Sequence, residues 1–256
     1  MAPKRRARRE KGSNLTSNVD SLGRRSWGRW ATLGLGLIAV LGGQIAGLAV
    51  VIWWYGVDLS HLQDLASDGV VATVIICIST PVQVLLLAIM ARQADSRAVE
   101  YLGLTLPRKG DVIIGIIVVS VFIVLVDGVS WLSGRDLVTP FQLDMYRTAS
   151  AAGWLPWLLL TAVVVAPIGE ETLFRGFLFR GWHRSNRDAW AVIIVTALLW
   201  ALVHPQYELY YMAQVLAYGL VLGWFRWVSG STILTILLHG LINLEGMVET
   251  SFAVHP

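Results

Sequence analysis

The sequence predicts an all-α integral membrane protein, a polytopic helical bundle with about seven transmembrane helices. Of its 256 residues, 55% are apolar and only 14% are charged, whereas about a quarter of the residues of a soluble domain are charged. The mean hydropathy of +0.62 points to the same class of protein. Apolar runs of about 20 residues, long enough to cross a hydrocarbon core, also recur along the chain.

Seven apolar runs predict the spans, and the fourth of them is unusual. They cover approximately residues 31–55, 69–91, 112–133, 152–181, 189–204, 209–228 and 231–248. The fourth run contains "PIGEETLFRGFLF" at residues 167–179, so it is continuous only if two glutamates and an arginine are tolerated in the membrane. The first run is rich in glycine, which permits helices to approach one another closely: Gly34, Gly36, Gly42, Gly43 and Gly47.

The chain divides into a basic tail, residues 1–30, and a single membrane domain, residues 31–256. Nine of the twenty Lys and Arg residues lie in the tail. Because these charges do not form a folded basic face, the sequence predicts contact with anionic membrane lipid and no nucleic-acid partner. The first apolar run is too long for a cleavable signal peptide, so the tail is expected to precede the first membrane anchor.

The distribution of basic residues predicts the orientation in the membrane. Short cytoplasmic loops are enriched in Lys and Arg. With the N-terminus inside, the inner regions carry 18 of these residues and the outer loops carry only Arg135 and Arg147. We therefore expect a multi-pass protein of the cell membrane with a cytoplasmic N-terminus and an external C-terminus.

Six polar side chains in the last four runs require an explanation. An ionisable group at the centre of a span costs about 2.5–3.5 kcal/mol on insertion scales, so several together indicate a function. The six residues are Glu170, Glu171, Arg175, His204, His239 and Asn243.

Helical geometry separates the roles of the two glutamates. Glu171 and Arg175 are four residues apart, so they lie on one helix face and are expected to form an ion pair. Glu170 points about 100° away from Glu171, which leaves it free for chemistry. Pro167 and Gly169 precede the pair, and a proline inside a span leaves a carbonyl unpaired and bends the helix. Such a bend would make room for water.

The histidines and the asparagine come from later runs. His204 ends the fifth run, four residues after Trp200, and His239 and Asn243 are four apart on the seventh. Counted from the inner boundary at about 1.5 Å per residue, their depths overlap that of Glu170. Three helices are thus able to bring a carboxylate, two imidazoles and an amide together.

One mechanism for such a cluster is hydrolysis of a peptide bond by an activated water. This reaction needs a held water, a base and a donor for the developing oxyanion. Glu170 is the expected base. The side chains of His204, His239 and Asn243 would orient the water or stabilise the oxyanion.

A second mechanism uses the same cluster as a Zn²⁺ site. Two histidines and one carboxylate, here His204, His239 and Glu170, are able to hold the metal and leave one position for water. Glu171 would then act as the base or remain the partner of Arg175. The chain has no HExxH motif, which is the usual signature of soluble zinc proteases. The sequence leaves both mechanisms open.

The polar residues fall into three motifs that resemble those of the CAAX protease and bacteriocin-processing family, also called the Abi family. In that family the motifs read EExxxR, FxxxH and HxxxN or HxxxD. The matching segments are "EETLFR" with Glu170, Glu171 and Arg175, "WALVH" with Trp200 and His204, and "HGLIN" with His239 and Asn243. Their order and spacing agree with the family, and the one departure is Trp200 in place of the usual phenylalanine.

The resemblance covers about residues 110–250, which we take as the protease-like core. It implies an intramembrane endopeptidase related to the Ras-converting CAAX endopeptidase, acting on a peptide or protein substrate that is membrane-associated. By analogy, Glu170 and His204 would activate water with help from His239 and Asn243, or the set would bind a metal. The chain's strong preference for Arg over Lys, 17 to 3, suggests a bacterial source.

A non-enzymatic function is the alternative. A membrane scaffold or bacteriocin self-immunity protein would retain the same motifs as a polar packing core. Outside the motifs, Asp127 is expected to have a structural role near the outer interface. Glu245 is expected to point away from Asn243. Tyr207 and Glu208 follow His204 in a short outer loop, and no site role is predicted for them.

Overall fold

The computed structural model describes residues 27–56, 65, 67–94 and 97–255 of the chain. Of the basic tail predicted at residues 1–30, residues 1–26 lie outside the described residues. Within the described residues all regular secondary structure is helical. The predicted all-α fold is therefore confirmed.

Nine helices make up the part of the chain that the structure describes. They are α1 (Arg29–Tyr55), α2 (Gly69–Ala94), α3 (Ala98–Tyr101), α4 (Lys109–Leu132), α5 (Pro140–Ala151), α6 (Leu155–Trp182), α7 (Ala189–Leu202), α8 (Leu209–Ser229) and α9 (Thr232–Val254). The sequence did not predict α5, which begins with a capping box between Thr139 and Gln142 and with Pro140 in its first turn.

Five of these helices are long and apolar enough to cross a membrane: α1, α2, α4, α6 and α9. The fifth predicted span is the shorter apolar helix α7, with 14 residues. The sixth corresponds to α8, which has 21 residues but does not belong to the five. The polytopic helical bundle is thus confirmed, with five clear spans where the sequence predicted about seven.

Close packing of α1 against α2 depends on two of the glycines in the first run. A Cβ atom on Gly43 would come within 2.6 Å of the Ser79 carbonyl oxygen, and one on Gly47 within 2.8 Å of the Ile75 carbonyl oxygen. A side chain at either position would force the two backbones apart. Gly34, by contrast, has open space around its Cα.

The helix α6 is the centre of the fold and is not a regular α-helix. It contains two π-helical segments, Thr161–Val165 and Thr172–Leu178, separated by Ala166–Glu171. Segments of this kind widen the helix locally and are frequent at functional sites. The residues of the second segment are all buried, and its Phe177 lies in the main hydrophobic core of the bundle. The motif "EETLFR" begins at the end of the α-helical segment and continues into the second π-helical segment.

Candidate active site

Glu171 is the hub of a buried charged cluster. Its Oε1 atom accepts hydrogen bonds from Arg175 Nη1 at 2.8 Å and from His239 Nδ1 at 3.0 Å. Both Glu171 and Arg175 are 0% exposed. The ion pair predicted from the four-residue spacing is therefore present, and it also fixes a histidine from α9.

Arg175 also contacts two other helices, α7 and α8. Its Nη2 atom donates a hydrogen bond to the carbonyl oxygen of Gly219 on α8 at 3.0 Å. Its guanidinium carbon lies 4.6 Å from the centroid of the Trp200 ring on α7. A buried cation needs such partners, because removing it from water without them costs several kcal/mol. Arg175 thus joins the first motif on α6 to the second on α7 and to α8, while its partner Glu171 reaches the third motif on α9.

Glu170 has a different environment from its neighbour. It is partly exposed, and its Oε2 atom accepts a hydrogen bond of 2.5 Å from Nε1 of Trp200. This bond orients the carboxylate and leaves Oε1 without a partner in the described residues. The aromatic residue of the second motif therefore positions the first glutamate, and a phenylalanine at the same place would lack the N–H group that does so.

The hydrogen bonds of the two histidines define which ring nitrogen is free. His204 Nδ1 lies 2.7 Å from the carbonyl oxygen of Trp200, and His239 Nδ1 lies 3.0 Å from the Glu171 carboxylate. Because carbonyl and carboxylate oxygens only accept, Nδ1 carries the proton in both rings. In its neutral form each imidazole then has an unprotonated Nε2. Both rings pack edge-on against Trp200.

Asn243 compensates for the proline in α6. In a π-helical segment residue i+5 donates to the carbonyl of residue i, so the donor to Ala162 would be Pro167, which has no N–H group. Asn243 Nδ2 donates to the Ala162 carbonyl oxygen at 2.8 Å instead. Nearby, Gly240 allows the backbones to meet, since a Cβ there would lie 2.6 Å from the Val163 carbonyl oxygen.

A cavity of about 240 Å³ collects the predicted site residues. Glu170, Trp200, His204, His239 and Asn243 all line it, together with residues of α4, α5 and α8. Glu171 and Arg175 do not line it, because they lie behind it in the protein interior. The structure thus divides the six predicted residues into four at the cavity wall and two that support them.

The cavity also contains residues to which the sequence assigned little or nothing. Tyr207 stacks on His204 with ring centroids 5.7 Å apart. Burial raises the pKa of Tyr207 to about 12, and the negative charge of Glu170 adds to the shift. Its hydroxyl group therefore stays protonated at neutral pH and is able to donate a hydrogen bond. Glu208 instead pairs with Arg135 at 3.3 Å.

The sequence predicted that Glu245 points to a different face of α9 from Asn243 and did not place it at the cavity. Glu245 lines the cavity with Asp127 and Glu249, and one carboxylate oxygen from each lies within 4.8 Å of the others. The cavity runs along α9 toward the C-terminal end of α4, so it reaches a wider arc of α9 than one helical face. The four-residue spacing of Glu245 and Glu249 in an apolar run was the signal available in the sequence.

Glu170, His204 and His239 are of the chemical types that bind Zn²⁺, but their ligand atoms are too far apart to share one ion. Histidines with a bonded Nδ1 and a free Nε2 are typical of metal ligands, and a carboxylate completes a common set. Among the described residues, however, only Asp127, Glu245 and Glu249 bring three such ligand atoms within 4.8 Å of one another. Glu170, His204 and His239 would have to move closer together to bind one ion.

Comparison with known proteins supports the resemblance seen in the motifs. The model of the family described as "Type II CAAX prenyl endopeptidase Rce1-like" matches residues 152–244. An "Uncharacterized 24.3 kDa protein" of Escherichia coli is 37% identical over 129 residues, which cover 44% of this chain and 59% of that relative. The alignment thus spans less than two thirds of the relative's length. No solved structure matches the chain significantly. In its segment 152–244, which holds all three motifs, the chain matches the Rce1-like CAAX endopeptidase family.

Proposed function

We propose that this protein is an intramembrane endopeptidase that hydrolyses a peptide bond of a membrane-associated substrate. The observation that carries the proposal is the convergence of Glu170, His204, His239 and Asn243 at one cavity inside an apolar helical bundle. Ionisable side chains inside a membrane span are energetically costly, so several of them at one cavity indicate a function. The family match over residues 152–244 supports the class of reaction.

Glu170 is the general base in this proposal. Glu170 lines the cavity and Trp200 holds only its Oε2 atom, so the carboxylate is able to take a proton from a water molecule. The resulting hydroxide attacks the carbonyl carbon of the peptide bond and a tetrahedral oxyanion forms. When the C–N bond breaks, the proton passes from Glu170 to the departing amine.

The other cavity residues orient the water and stabilise the oxyanion. The unprotonated Nε2 atoms of neutral His204 and His239 accept hydrogen bonds from water. Donors for the oxyanion are the protonated hydroxyl of Tyr207 and the second N–H of Asn243, whose first N–H is held by Ala162. Donors of this type, aimed at a developing charge in a site that excludes bulk water, contribute a large part of catalysis.

The metal mechanism is a variant of the same proposal. Glu170, His204 and His239 would hold Zn²⁺, which would supply a bound water of lowered pKa. The free Nε2 atoms support this variant, whereas the wider spacing of the three ligands supports the glutamate mechanism. Zinc content and activity in a chelator separate them. Full activity without metal supports the glutamate mechanism, and stoichiometric zinc that is lost in Glu170→Gln and His239→Ala supports the metal.

The test of the proposed function compares the wild type with Glu170→Gln. Each protein is reconstituted in proteoliposomes with a bacterial membrane-protein extract, and new N-termini are identified by amine labelling and mass spectrometry. We expect a defined set of cleavages from the wild type and from the control Glu208→Gln, whose carboxylate is exposed in a loop. The set should disappear with Glu170→Gln.

The competing function, a scaffold or bacteriocin self-immunity protein, predicts another result. The variant Glu170→Gln would insert, fold and retain its cellular phenotype undiminished, and the wild type would produce no new N-termini. That combination would exclude the peptidase.

A further inference from the structure

A second cavity, of about 320 Å³, lies at the end of the bundle opposite to α5. It is formed where the C-terminal ends of α6 and α8 meet α3, and it shares no lining residue with the candidate active site. Its lining is mainly basic and aromatic: Glu100, Phe179, Arg180, His183, Arg226, Trp227 and Gly230. We call it the basic cavity.

Arg226 is the feature of the basic cavity that most needs an explanation. Its residue surface is only 8% exposed, and its Nε atom donates to the carbonyl oxygen of Arg175 at 2.8 Å. Within the described part of the chain no carboxylate forms an ion pair with it. Buried charges in proteins are normally paired, because an uncompensated one is destabilising. The two Nη groups of Arg226 thus lack an anion.

Arg180 and His183 add to the same positive region. Arg180 has no ion pair within the described residues, and its guanidinium carbon lies 6.0 Å from the ring centroid of Tyr101. The Nε2 atom of His183 is buried and has no hydrogen-bond partner among the described residues. Burial lowers the pKa of His183; Asp188 opposes this shift, and the charges of Arg226 and Arg180 add to it. An anion in the basic cavity would satisfy all three side chains.

The acidic residue at the cavity does not neutralise it. Glu100, in the short helix α3, already accepts a 2.7 Å hydrogen bond from Arg97, the residue that precedes this helix. The remaining lining includes Trp227, which stacks edge-on with Trp190, and tryptophan is enriched at the headgroup level of membranes. The distribution of basic residues predicts that this end of the bundle is cytoplasmic, where anionic lipids concentrate.

We propose that the basic cavity binds a phosphate group, supplied by the headgroup of an anionic membrane lipid. Arginine matches phosphate geometry with two parallel hydrogen bonds, and a basic pocket between helices at the inner surface is a typical headgroup site. The bound phosphate accepts from the Nη groups of Arg226 and from Arg180, with His183 Nε2 at its edge. The two cavities share no lining residue, so the proposal does not rest on the proposed peptidase.

The experiment measures lipid binding to the full chain by native mass spectrometry from detergent micelles. Phosphatidylglycerol, phosphatidylcholine and inorganic phosphate are titrated separately onto the wild type and onto Arg180→Gln. The matched control is Arg147→Gln, which removes the same charge from an exposed residue whose nearest carboxylate oxygen, on Asp144, is 4.0 Å away. We expect phosphatidylglycerol to bind more tightly than phosphatidylcholine, and Arg180→Gln to weaken it about tenfold while the control changes it less than about twofold.

The arms with different ligands distinguish the sources of phosphate. Displacement of phosphatidylglycerol by millimolar inorganic phosphate would support a phosphate site that lipid occupies. Binding of inorganic phosphate with no preference for the anionic lipid would overturn the lipid source.

The variants keep the proposal falsifiable even if one fails to fold. Arg226→Gln removes a buried side chain, so its folding is checked by size-exclusion chromatography and thermal unfolding. Arg180 is only partly buried, so Arg180→Gln decides the question if Arg226→Gln unfolds. Wild-type affinity of folded Arg180→Gln for both phosphatidylglycerol and phosphate would refute the site.

Discussion

The two adjacent glutamates of α6 occupy opposite kinds of environment. Glu171 is closed off from the cavity and shares Oε1 between Arg175 and His239, whereas Glu170 lines the cavity and has one oxygen free. We refer to Glu171, Arg175 and His239 as the buried set, and to Glu170, Trp200 and His204 as the open set. Neighbouring positions on one helix thus hold a carboxylate with two buried partners and a carboxylate that lines the cavity.

The two sets differ in how their charges are paired with opposite charges and hydrogen-bond donors. In the buried set every charge has an opposite charge or a directed hydrogen bond, so the cluster is stable only as a whole. In the open set Glu170 is held by a single neutral donor, which orients the carboxylate without neutralising it. His239 connects the two, because Nδ1 belongs to the buried set while its ring lines the cavity. Substitutions should therefore affect stability in one set and activity in the other.

The largest expected effect is on stability, from Glu171→Gln in the buried set. This change leaves the Arg175 cation buried without its partner, and breaking a buried pair costs about 3–5 kcal/mol. The free energy of unfolding in mixed micelles should fall by that amount. The control Glu208→Gln breaks an exposed pair, worth about 0–1 kcal/mol. An equal small loss in both variants would contradict the distinction between the sets.

The next effect is on activity, from His204→Ala in the open set. The ring helps to hold the reacting water or a metal, so its removal should lower kcat about 100-fold. The free energy of unfolding should fall by about 1–3 kcal/mol, less than for Glu171→Gln, because one hydrogen bond and the ring contacts with Trp200 and Tyr207 are lost. The control is His255→Ala, at an exposed residue after α9. Full activity of His204→Ala would remove this histidine from the proposed mechanism.

A smaller effect is expected from Trp200→Phe. The phenylalanine keeps the aromatic packing against both histidines but removes the N–H that orients Glu170. We expect a decrease in kcat of about tenfold with little change in KM, because the carboxylate is less well positioned. Trp131→Phe, at a 75% exposed tryptophan, is the control. Wild-type kcat in Trp200→Phe would show that the hydrogen bond has no catalytic role.

The smallest effect on stability is expected from Asn243→Ala, which also removes a proposed oxyanion donor and should therefore lower kcat. Its amide donates to the carbonyl that Pro167 leaves unpaired, so the alanine variant leaves a partly buried acceptor unsatisfied. The free energy of unfolding should fall by about 1–2 kcal/mol. Because an ionised aspartate also lacks an N–H group, the variant Asn243→Asp should be at least as destabilising. An unchanged stability in both variants would argue against this structural role.

The sequence predicted the parts of the site that follow from helical periodicity. The four-residue spacing of Glu171 and Arg175 predicted their contact, and the overlapping depths of His204 and His239 agreed with their meeting at one cavity. The apolar runs likewise predicted every long helix of the bundle. These predictions needed only local geometry and the cost of placing charges in a membrane.

The remaining features depend on contacts between distant segments, which a single sequence does not encode in a readable pattern. The hydrogen bond from Trp200 to Glu170 depends on how α7 packs against α6. The hydrogen bond from Asn243 to the carbonyl that Pro167 leaves unpaired depends on how α9 packs against α6. The π-helical segments were missed for the same reason, whereas α5 was missed although Thr139, Pro140 and Gln142 form a local start signal for a helix. Glu245 was not placed at the cavity because the cavity was treated as one face of α9, whereas it extends along the helix.

The most decisive measurement is a paired comparison of Glu170→Gln and Glu171→Gln with two readouts on each protein. Thermal unfolding reports stability, and the rate of cleavage in proteoliposomes reports activity. We expect Glu170→Gln to keep the wild-type midpoint while its cleavage rate falls at least about 100-fold, and Glu171→Gln to unfold at a clearly lower temperature. A stable, fully active Glu170→Gln protein, or a Glu171→Gln protein as stable as the wild type, would contradict the division of labour between the two glutamates.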